Sequence, residues 1–258
     1  MRILPLNELK NRIALLPEYT LADIYVRGNK VENFKAVVPK GMSVPIAIVS
    51  HKYKLIQHKT LFNVVIEKVS WKFGSNNILG DVYYHKNRAH LFLFFQKAKL
   101  FSEEYFAGIL VTNSVDTSLS VKISLSLYNE NFGIPFVNPK KLIEIKNKHI
   151  GLELFWDRFK SRLFAILNSY QEILKNYLSL LTKLSEININ PKEILDKISL
   201  SNRLQEKIMA SLKSPTLFDI YKAVVSCLIS EPYISSTTKI KKIEKLGEIV
   251  YSFVEERR

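Results

Sequence analysis

The sequence predicts an α+β fold, with a helix plus antiparallel β-meander in the N-terminal part and an all-α C-terminal part. Between residues 78 and 129, four apolar runs rich in β-branched and aromatic residues are separated by short polar breaks, which is typical of antiparallel strands. From residue 151 onward, apolar residues recur at the spacing of amphipathic helices. We therefore expect a basic α+β domain at 1–148 and a helical domain at 149–258.

The N-terminal region predicts one helix and several short strands. Residues 7–16 carry a helical pattern, and residues 21–28 and 33–39 read as two strands that turn at Gly28–Asn29. Residues 44–50 and 53–58 indicate two further strands.

A helix over residues 59–73 then leads into the meander. Its apolar residues lie on one helical face, and the polar run beginning at Gly74 ends it. The meander strand over 89–97 is apolar on both faces, so we expect it to lie in the centre of the sheet. The preceding strand and its hairpin tip at 86–88 combine aromatic and basic side chains, so we expect them at the surface.

The C-terminal half predicts one long helix followed by shorter ones. The amphipathic pattern from Gly151 continues beyond ~25 residues without an internal cap, which indicates packing along a second long helix or subunit. Asn190 before Pro191, with Glu193 at the capping-box position, marks the start of the next helix. We expect a homo-oligomer formed through this helical half.

Composition indicates a globular, cytoplasmic protein. Hydrophobic residues make up 47% of the 258 residues, and the single Cys227 has no partner for a disulfide within the chain. Pro5 and the polar residues near it interrupt the N-terminal apolar pattern, which does not match a signal peptide. The longest apolar runs are shorter than the ~20 residues that a membrane-spanning helix needs.

Positive charge is concentrated in the N-terminal half. The chain carries a net charge of +14, and residues 35–99 alone hold 11 lysines and arginines against two acids. General lysine enrichment would also raise the charge, but it usually brings matching glutamate, which this region lacks. The imbalance predicts a nucleic-acid partner, with DNA favoured over RNA and no membrane partner.

The residues expected to contact that partner are lysines, an arginine and tyrosines of the meander and the segment before it. Cations neutralise phosphates, and aromatic rings stack on unpaired bases. The predicted contact residues are Lys52, Tyr53, Lys54, Lys59, Tyr83, Tyr84, Lys86, Arg88, Lys97 and Lys99.

Other chemistries have weaker support in the sequence. The five histidines form no metal-binding motif and no phosphate-binding glycine loop occurs, so we expect no metal and no cofactor. His51 and His58 are expected at the surface. Asp116, Glu144 and Lys146 offer the elements of a Mg²⁺-dependent nuclease, but the sequence favours the simpler interpretation of a turn aspartate and a strand-end glutamate.

Several short motifs resemble a known family. The motifs are SHKYKLIQHKTLFNVV, the turn and strand TNSVDTSLSVKISLSLYNEN, KHIGLELFWDRF, SPTLFDIYKAVVSCL and IEKLGEIV. Together they look like the phage- and plasmid-associated family known as domain of unknown function 932, over roughly residues 45–255. Thr117 stands where that family prefers glycine. The resemblance implies a mobile-element protein and no particular catalyst.

The resemblance also singles out individual residues. They either form a pocket or tie the two halves of the chain together, and the sequence leaves both readings open. The matching residues are Asp116, Asn129, His149, Thr216, Asp219 and Tyr221.

These observations predict a non-catalytic protein that binds single-stranded or distorted DNA through a basic sheet surface. A helix followed by an antiparallel meander is also similar to the core of the Rad52-like single-strand annealing proteins of phages, which implies a role in annealing or recombination. The alternatives are an oligomeric scaffolding protein and, third, the Mg²⁺-dependent nuclease.

Overall fold

A computed structural model describes residues 3–129, 134–145 and 152–255. It confirms the α+β class, with strands in the N-terminal half and helices in the C-terminal half. In chain order the elements are β1 (Leu4–Pro5), α1 (Leu6–Ala14), β2 (Tyr19–Val26), β3 (Asn29–Pro39), β4 (Ala47–Ser50), α2 (His58–Phe73), β5 (Leu79–His85), β6 (Arg88–Leu100), β7 (Glu103–Ser114), β8 (Val121–Asn129), β9 (Ile134–Ile145), α3 (Leu152–Asn168), α4 (Tyr170–Glu186), α5 (Pro191–Ile198), α6 (Asn202–Ser211), α7 (Leu217–Ser230) and α8 (Ser236–Glu255).

The larger sheet contains the predicted meander. Its strands follow the order β1-β5-β6-β7-β8-β9, and every neighbouring pair is antiparallel. The centre of β6 is buried on both faces, as its uninterrupted apolar run predicts. The sequence reading missed β9, because Pro135 and Pro139 indicated a break in structure. Proline is tolerated on an edge strand, and β9 is the edge of this sheet.

A second, smaller sheet is formed by β2, β3 and β4. The strand predicted over 53–58 is wrong, since residues 53–57 form a loop and α2 begins at His58. The side chain of Gln57 explains how this loop stays beside β2. Its amide oxygen accepts from the backbone N–H of Tyr19 at 3.1 Å, and its amide nitrogen donates to the Tyr19 carbonyl at 2.6 Å. One side chain thus satisfies the backbone groups that a paired strand would have satisfied.

The main core is continuous between the sheet and the helices. Buried residues of α2, of the large sheet and of the helices from α3 to α8 belong to one hydrophobic cluster. Phe95 of β6 stacks on Phe73 at a centroid distance of 4.5 Å and packs against Tyr170 of α4 at 4.8 Å. The C-terminal helices therefore cover the larger sheet.

The long helix predicted from residue 151 is two helices. α3 ends at Asn168 and α4 begins at Tyr170, with Ser169 between them. The hydroxyl of Ser169 donates to the carbonyl of Ala165 at 3.0 Å, a local bond that competes with the helical pattern and bends helices. The predicted cap of α5 is present, because the Asn190 side chain accepts from the backbone N–H of Lys192.

Among the residues that the structure describes, none of the helices is both long and apolar enough to cross a bilayer.

Candidate functional site

The turn around Asp116 is tied to the tip of the β5–β6 hairpin. One carboxylate oxygen of Asp116 accepts from the backbone N–H and the hydroxyl of Ser118, and the other accepts from the Asn87 side-chain amide at 3.1 Å. Arg88 donates from Nε to the Ser118 hydroxyl at 2.8 Å. The N–H of Val115 donates to the Asn87 carbonyl at 3.0 Å. The two loops therefore form one unit at this end of the sheet.

These hydrogen bonds also set the charge of Asp116. Partial burial acts to raise the pKa of its carboxyl, but the hydrogen bonds, with those from Ser118 the largest, lower it overall. Asp116 is therefore an anion at neutral pH. Its oxygens are engaged within the turn, which agrees with a turn aspartate.

A pair of tyrosines connects the small sheet to this hairpin. The hydroxyl oxygens of Tyr19 on β2 and Tyr84 on β5 are 2.6 Å apart. The Tyr19 hydroxyl also reaches the Lys86 carbonyl at 3.5 Å. Burial, followed by the contact with Tyr84, raises the pKa of Tyr19, so its hydroxyl stays protonated. Sequence reasoning missed Tyr19, because nothing local distinguishes it from the other tyrosines.

His58 lies beneath this tyrosine pair and is fully buried, so its predicted surface position is wrong. It is the first residue of α2, and its ring makes edge contacts with Tyr19 and Tyr84 at centroid distances of 6.0 Å. Its Nδ1 lies 3.0 Å from the side-chain nitrogen of Asn113. Since that amide nitrogen is a donor, Nδ1 accepts and Nε2 carries the proton, without a hydrogen-bond partner.

A cleft opens beside the tyrosine pair, between the small sheet and the loop that precedes α2. It has a volume of about 430 Å³. Tyrosines and basic side chains form most of its wall, and we call it the basic cleft. Its lining residues are Tyr19, Thr20, Leu21, Lys35, His51, Tyr53, Lys54, Leu55 and Leu152.

Tyr53 joins the basic cleft to the hairpin tip. Its hydroxyl donates to the Val115 carbonyl at 3.2 Å, and the Val115 N–H in turn donates to Asn87. Burial raises the pKa of Tyr53 to about 12, so the hydroxyl remains a donor at neutral pH. Tyr53 is only 6% exposed, so it shapes the wall and is not the open stacking ring that the sequence predicted.

Through these links the structure brings together one part of the predicted contact set. Lys52, Lys54 and Lys86 are exposed, and Arg88 is half-buried at the same end of the sheet. Tyr84 is 40% exposed beside them. We call the surface formed by these four cations and Tyr84, together with the adjoining basic cleft, the tip surface.

Nearby acids offset some of the positive charge. Glu18 pairs with Lys59 at 3.1 Å and with Lys40 at 3.3 Å, and these two lysines lower the pKa of its carboxyl. Lys35 lies 3.7 Å from Asp23. Lys59, one of the predicted phosphate contacts, is thus engaged in an ion pair with Glu18.

Lys97 and Lys99 do not belong to the tip surface. They lie toward the opposite end of β6 from Arg88, and nine residues of strand span roughly 30 Å. Lys97 also pairs with Glu104 at 2.7 Å. Tyr83 is a further exception, because its half-buried ring packs edge-on against Phe92 at 6.1 Å. The predicted contact set therefore divides into separate regions.

The residues shared with the family motifs form no single pocket within the described part of the chain. Asn129 lies at the far end of β8 and donates to Glu103 and to the Glu104 carbonyl. The buried Tyr221 hydroxyl exchanges hydrogen bonds with the backbone of Val137 and ties α7 to β9.

Two further motif residues, Thr216 and Asp219, form the N-terminal cap of α7. Thr216 caps α7 by accepting from the backbone N–H of Asp219, and the Asp219 carboxylate accepts from the hydroxyls of Ser214 and Thr216. His149 lies outside the described residues.

The residues of the predicted nuclease site are Asp116, Glu144 and Lys146, and the two carboxylates have local partners in the structure. Glu144 accepts from the Ser120 hydroxyl at 2.7 Å and lies 3.6 Å from the Lys141 ammonium. Lys146 lies outside the described residues. Within the described ranges no group of three or more histidine, cysteine, aspartate or glutamate side chains is arranged to hold a metal ion.

No protein-family model, no curated protein and no solved structure matches this chain.

Proposed function

We propose that this protein binds single-stranded DNA through the tip surface. The supporting observation is that Lys54 lines a cleft together with Tyr19 and Tyr53. The Tyr53–Val115–Asn87 hydrogen bonds connect this cleft to the hairpin tip that carries Lys86 and Arg88. Single-strand binding proteins use the same two elements, because cations follow the phosphates and rings stack on the bases. Tyr84 is the ring with the greatest exposure here, so it is our candidate for base stacking.

The shape of the site favours a flexible single strand over a duplex. The basic cleft is a concavity of about 430 Å³ beside a projecting hairpin, and an extruded base can enter such a space. A paired base in a duplex cannot enter without being unstacked. Among the described residues of this surface only Leu152, the first residue of α3, is helical. Many duplex readers instead obtain sequence specificity by laying a helix in the major groove.

The proposal includes no chemical step. Asp116 is held by hydrogen bonds within its turn, and the imidazole of His58 has no exposed surface. We therefore propose a binding role, of the kind that annealing or recombination of mobile-element DNA requires. Self-association through the helical half is part of the same proposal. The exposed ring of Phe164 on α3 supports it, together with the exposed ring of Trp71 on α2 against which it packs.

A fluorescence-anisotropy titration with a labelled oligothymidine at several salt concentrations tests the proposal. Lys52→Ala combined with Lys86→Gly removes two exposed cations. We expect weaker binding and a salt slope smaller by about 1.4, since each phosphate contact on a single strand contributes about 0.7. Glycine is used at position 86 because Lys86 has a φ of 56°, which glycine adopts without strain.

The matched control is Lys97→Ala combined with Lys99→Ala, which removes the same charge at the distant end of β6. We expect it to change the slope much less than the first pair. Equal effects of the two pairs would show that only net charge matters, and the tip surface would then be the wrong site. Titrations with a duplex and with oligouridine identify the preferred strand type, and preference for the duplex would contradict the proposal.

A further inference from the structure

A second cleft lies between β9, α4 and α8. Its residues come later in the sequence than the four cations of the tip surface. It has a volume of about 310 Å³. β9 contributes Asn138 and Lys140, α4 contributes Tyr177 and Lys183, and α8 contributes Tyr251. None of the described residues that line it is an aspartate or glutamate, although acidic residues are common in the helical half. We call it the helical cleft.

Two nearly buried polar side chains in the helical cleft retain unused hydrogen-bond donors. Tyr177 is 4% exposed, and within the described chain its hydroxyl has no hydrogen-bond partner. Asn138 is 9% exposed, and its side-chain oxygen accepts from the Lys140 backbone N–H at 2.9 Å. Its side-chain nitrogen donates to no described atom. Neither donor atom is enclosed in the protein interior, so both remain accessible to a ligand that enters the cleft.

The charged residues of the helical cleft point to the same kind of ligand. Lys140 and Lys183 are both exposed, and neither forms an ion pair with an acid of the described chain. Burial raises the pKa of Tyr177 well above its usual value, so its hydroxyl is a donor at every physiological pH. Ammonium groups and neutral donors without a competing carboxylate form the environment that a phosphate group needs.

Apolar side chains complete the wall of the cleft and favour a ligand with an apolar part. Leu142, Ile173 and Leu180 line the helical cleft together with the ring of Tyr251. Small-molecule sites usually combine an apolar wall with a few converging polar groups. A volume of about 310 Å³ lies at the lower end of the range for such sites, which is roughly 300–1,000 Å³.

We propose that the helical cleft binds a small phosphomonoester with a flat apolar body, such as a nucleoside monophosphate. Lys140 and Lys183 attract the phosphate, Tyr177 and Asn138 donate to its oxygens, and the apolar wall holds the base. This site shares no residue with the tip surface, so it does not depend on the proposed DNA binding.

Isothermal titration calorimetry with AMP, adenosine and inorganic phosphate tests this proposal on the full chain. We expect AMP to bind with a dissociation constant below about 1 mM, and adenosine and inorganic phosphate at least about tenfold more weakly. Tyr177→Phe keeps the ring and removes the donor, and Lys183→Ala removes an exposed charge. Each should weaken AMP binding at least about tenfold, because a donor to a charged phosphate oxygen contributes more than a donor to a neutral acceptor.

The matched control is Tyr170→Phe, which removes a hydroxyl from the same helix. That hydroxyl lies 3.4 Å from the Gly108 carbonyl and does not line the helical cleft, so AMP affinity should stay unchanged. The proposal is overturned by absence of AMP binding, by equal affinity for adenosine, or by unchanged affinity in both Tyr177→Phe and Lys183→Ala. Loss of AMP binding in the Lys52→Ala, Lys86→Gly variant would place AMP in the tip surface and also overturn it.

Discussion

The hydroxyl oxygens of Tyr19 and Tyr84 lie 2.6 Å apart and join the small sheet to the β5–β6 hairpin. The small sheet has few other attachments, since its buried cluster is small and separate from the main core. One of these attachments is the hydrogen bond that the Tyr53 hydroxyl, in the loop after the small sheet, donates to the Val115 carbonyl. The position of the basic cleft relative to the hairpin tip therefore depends on a handful of hydrogen bonds.

The tyrosine pair should show energetic coupling in a double-mutant cycle of Tyr19→Phe and Tyr84→Phe. We expect a coupling energy of about 1 kcal/mol in the free energy of unfolding, the usual net contribution of one hydrogen bond. Urea denaturation of the two single variants and the double variant measures it. Tyr25→Phe is the control, because Tyr25 on the same strand is 63% exposed. Its replacement should leave the free energy of unfolding almost unchanged. Additive effects of the two substitutions would contradict the proposed link.

Thr117 has a backbone conformation that a β-branched residue rarely adopts. Its φ is 63°, in the left-handed region, within the turn that Asp116 closes. Thr117→Gly should raise the free energy of unfolding by about 1 kcal/mol, because relief of strain outweighs the greater entropy of the unfolded chain. Thermal or urea denaturation measures the gain.

The control for this substitution is Thr60→Gly in α2, an exposed helical position. There the same exchange should destabilise by several tenths of a kcal/mol, since glycine is a poor helix former and no strain is relieved. If Thr117→Gly destabilises as much as Thr60→Gly, the left-handed conformation at position 117 carries no cost.

Local patterns predicted most of the elements of this fold. The uninterrupted apolar run in β6 and the cap at Asn190 are determined within a few residues of sequence, and both are confirmed. β9 was missed because Pro135 and Pro139 argue against a strand unless it is known to be an edge.

The candidate site was harder to predict, because its geometry depends on contacts between distant segments. Tyr19 and Tyr84 are 65 residues apart in the chain, and no local pattern marks their contact. Conversely, Arg88 and Lys97 are close in sequence, yet an extended strand separates them by roughly 30 Å. A concentration of charge in the sequence therefore did not indicate one surface.

The two buried histidines should make stability fall as the pH is lowered. Burial lowers the pKa of His58 to about 4. Burial is also the largest cause of the lowered pKa of His90, which is about 3. In the unfolded chain both have a pKa of about 6.5. Above that value both states are neutral and the full stability is present. As the pH falls below it the unfolded chain binds protons that the folded protein does not, and stability is lost until the folded pKa is reached.

Between pH 7 and pH 5, each histidine should therefore remove about 2 kcal/mol from the free energy of unfolding. Urea denaturation at both pH values measures the total loss, and His58→Gln should reduce it by about half. His51→Gln is the control, because His51 is exposed and its replacement should leave the loss unchanged. An identical pH dependence in His58→Gln and the unmodified protein would mean that position 58 is protonated in the folded state, which its burial and the donor from Asn113 oppose.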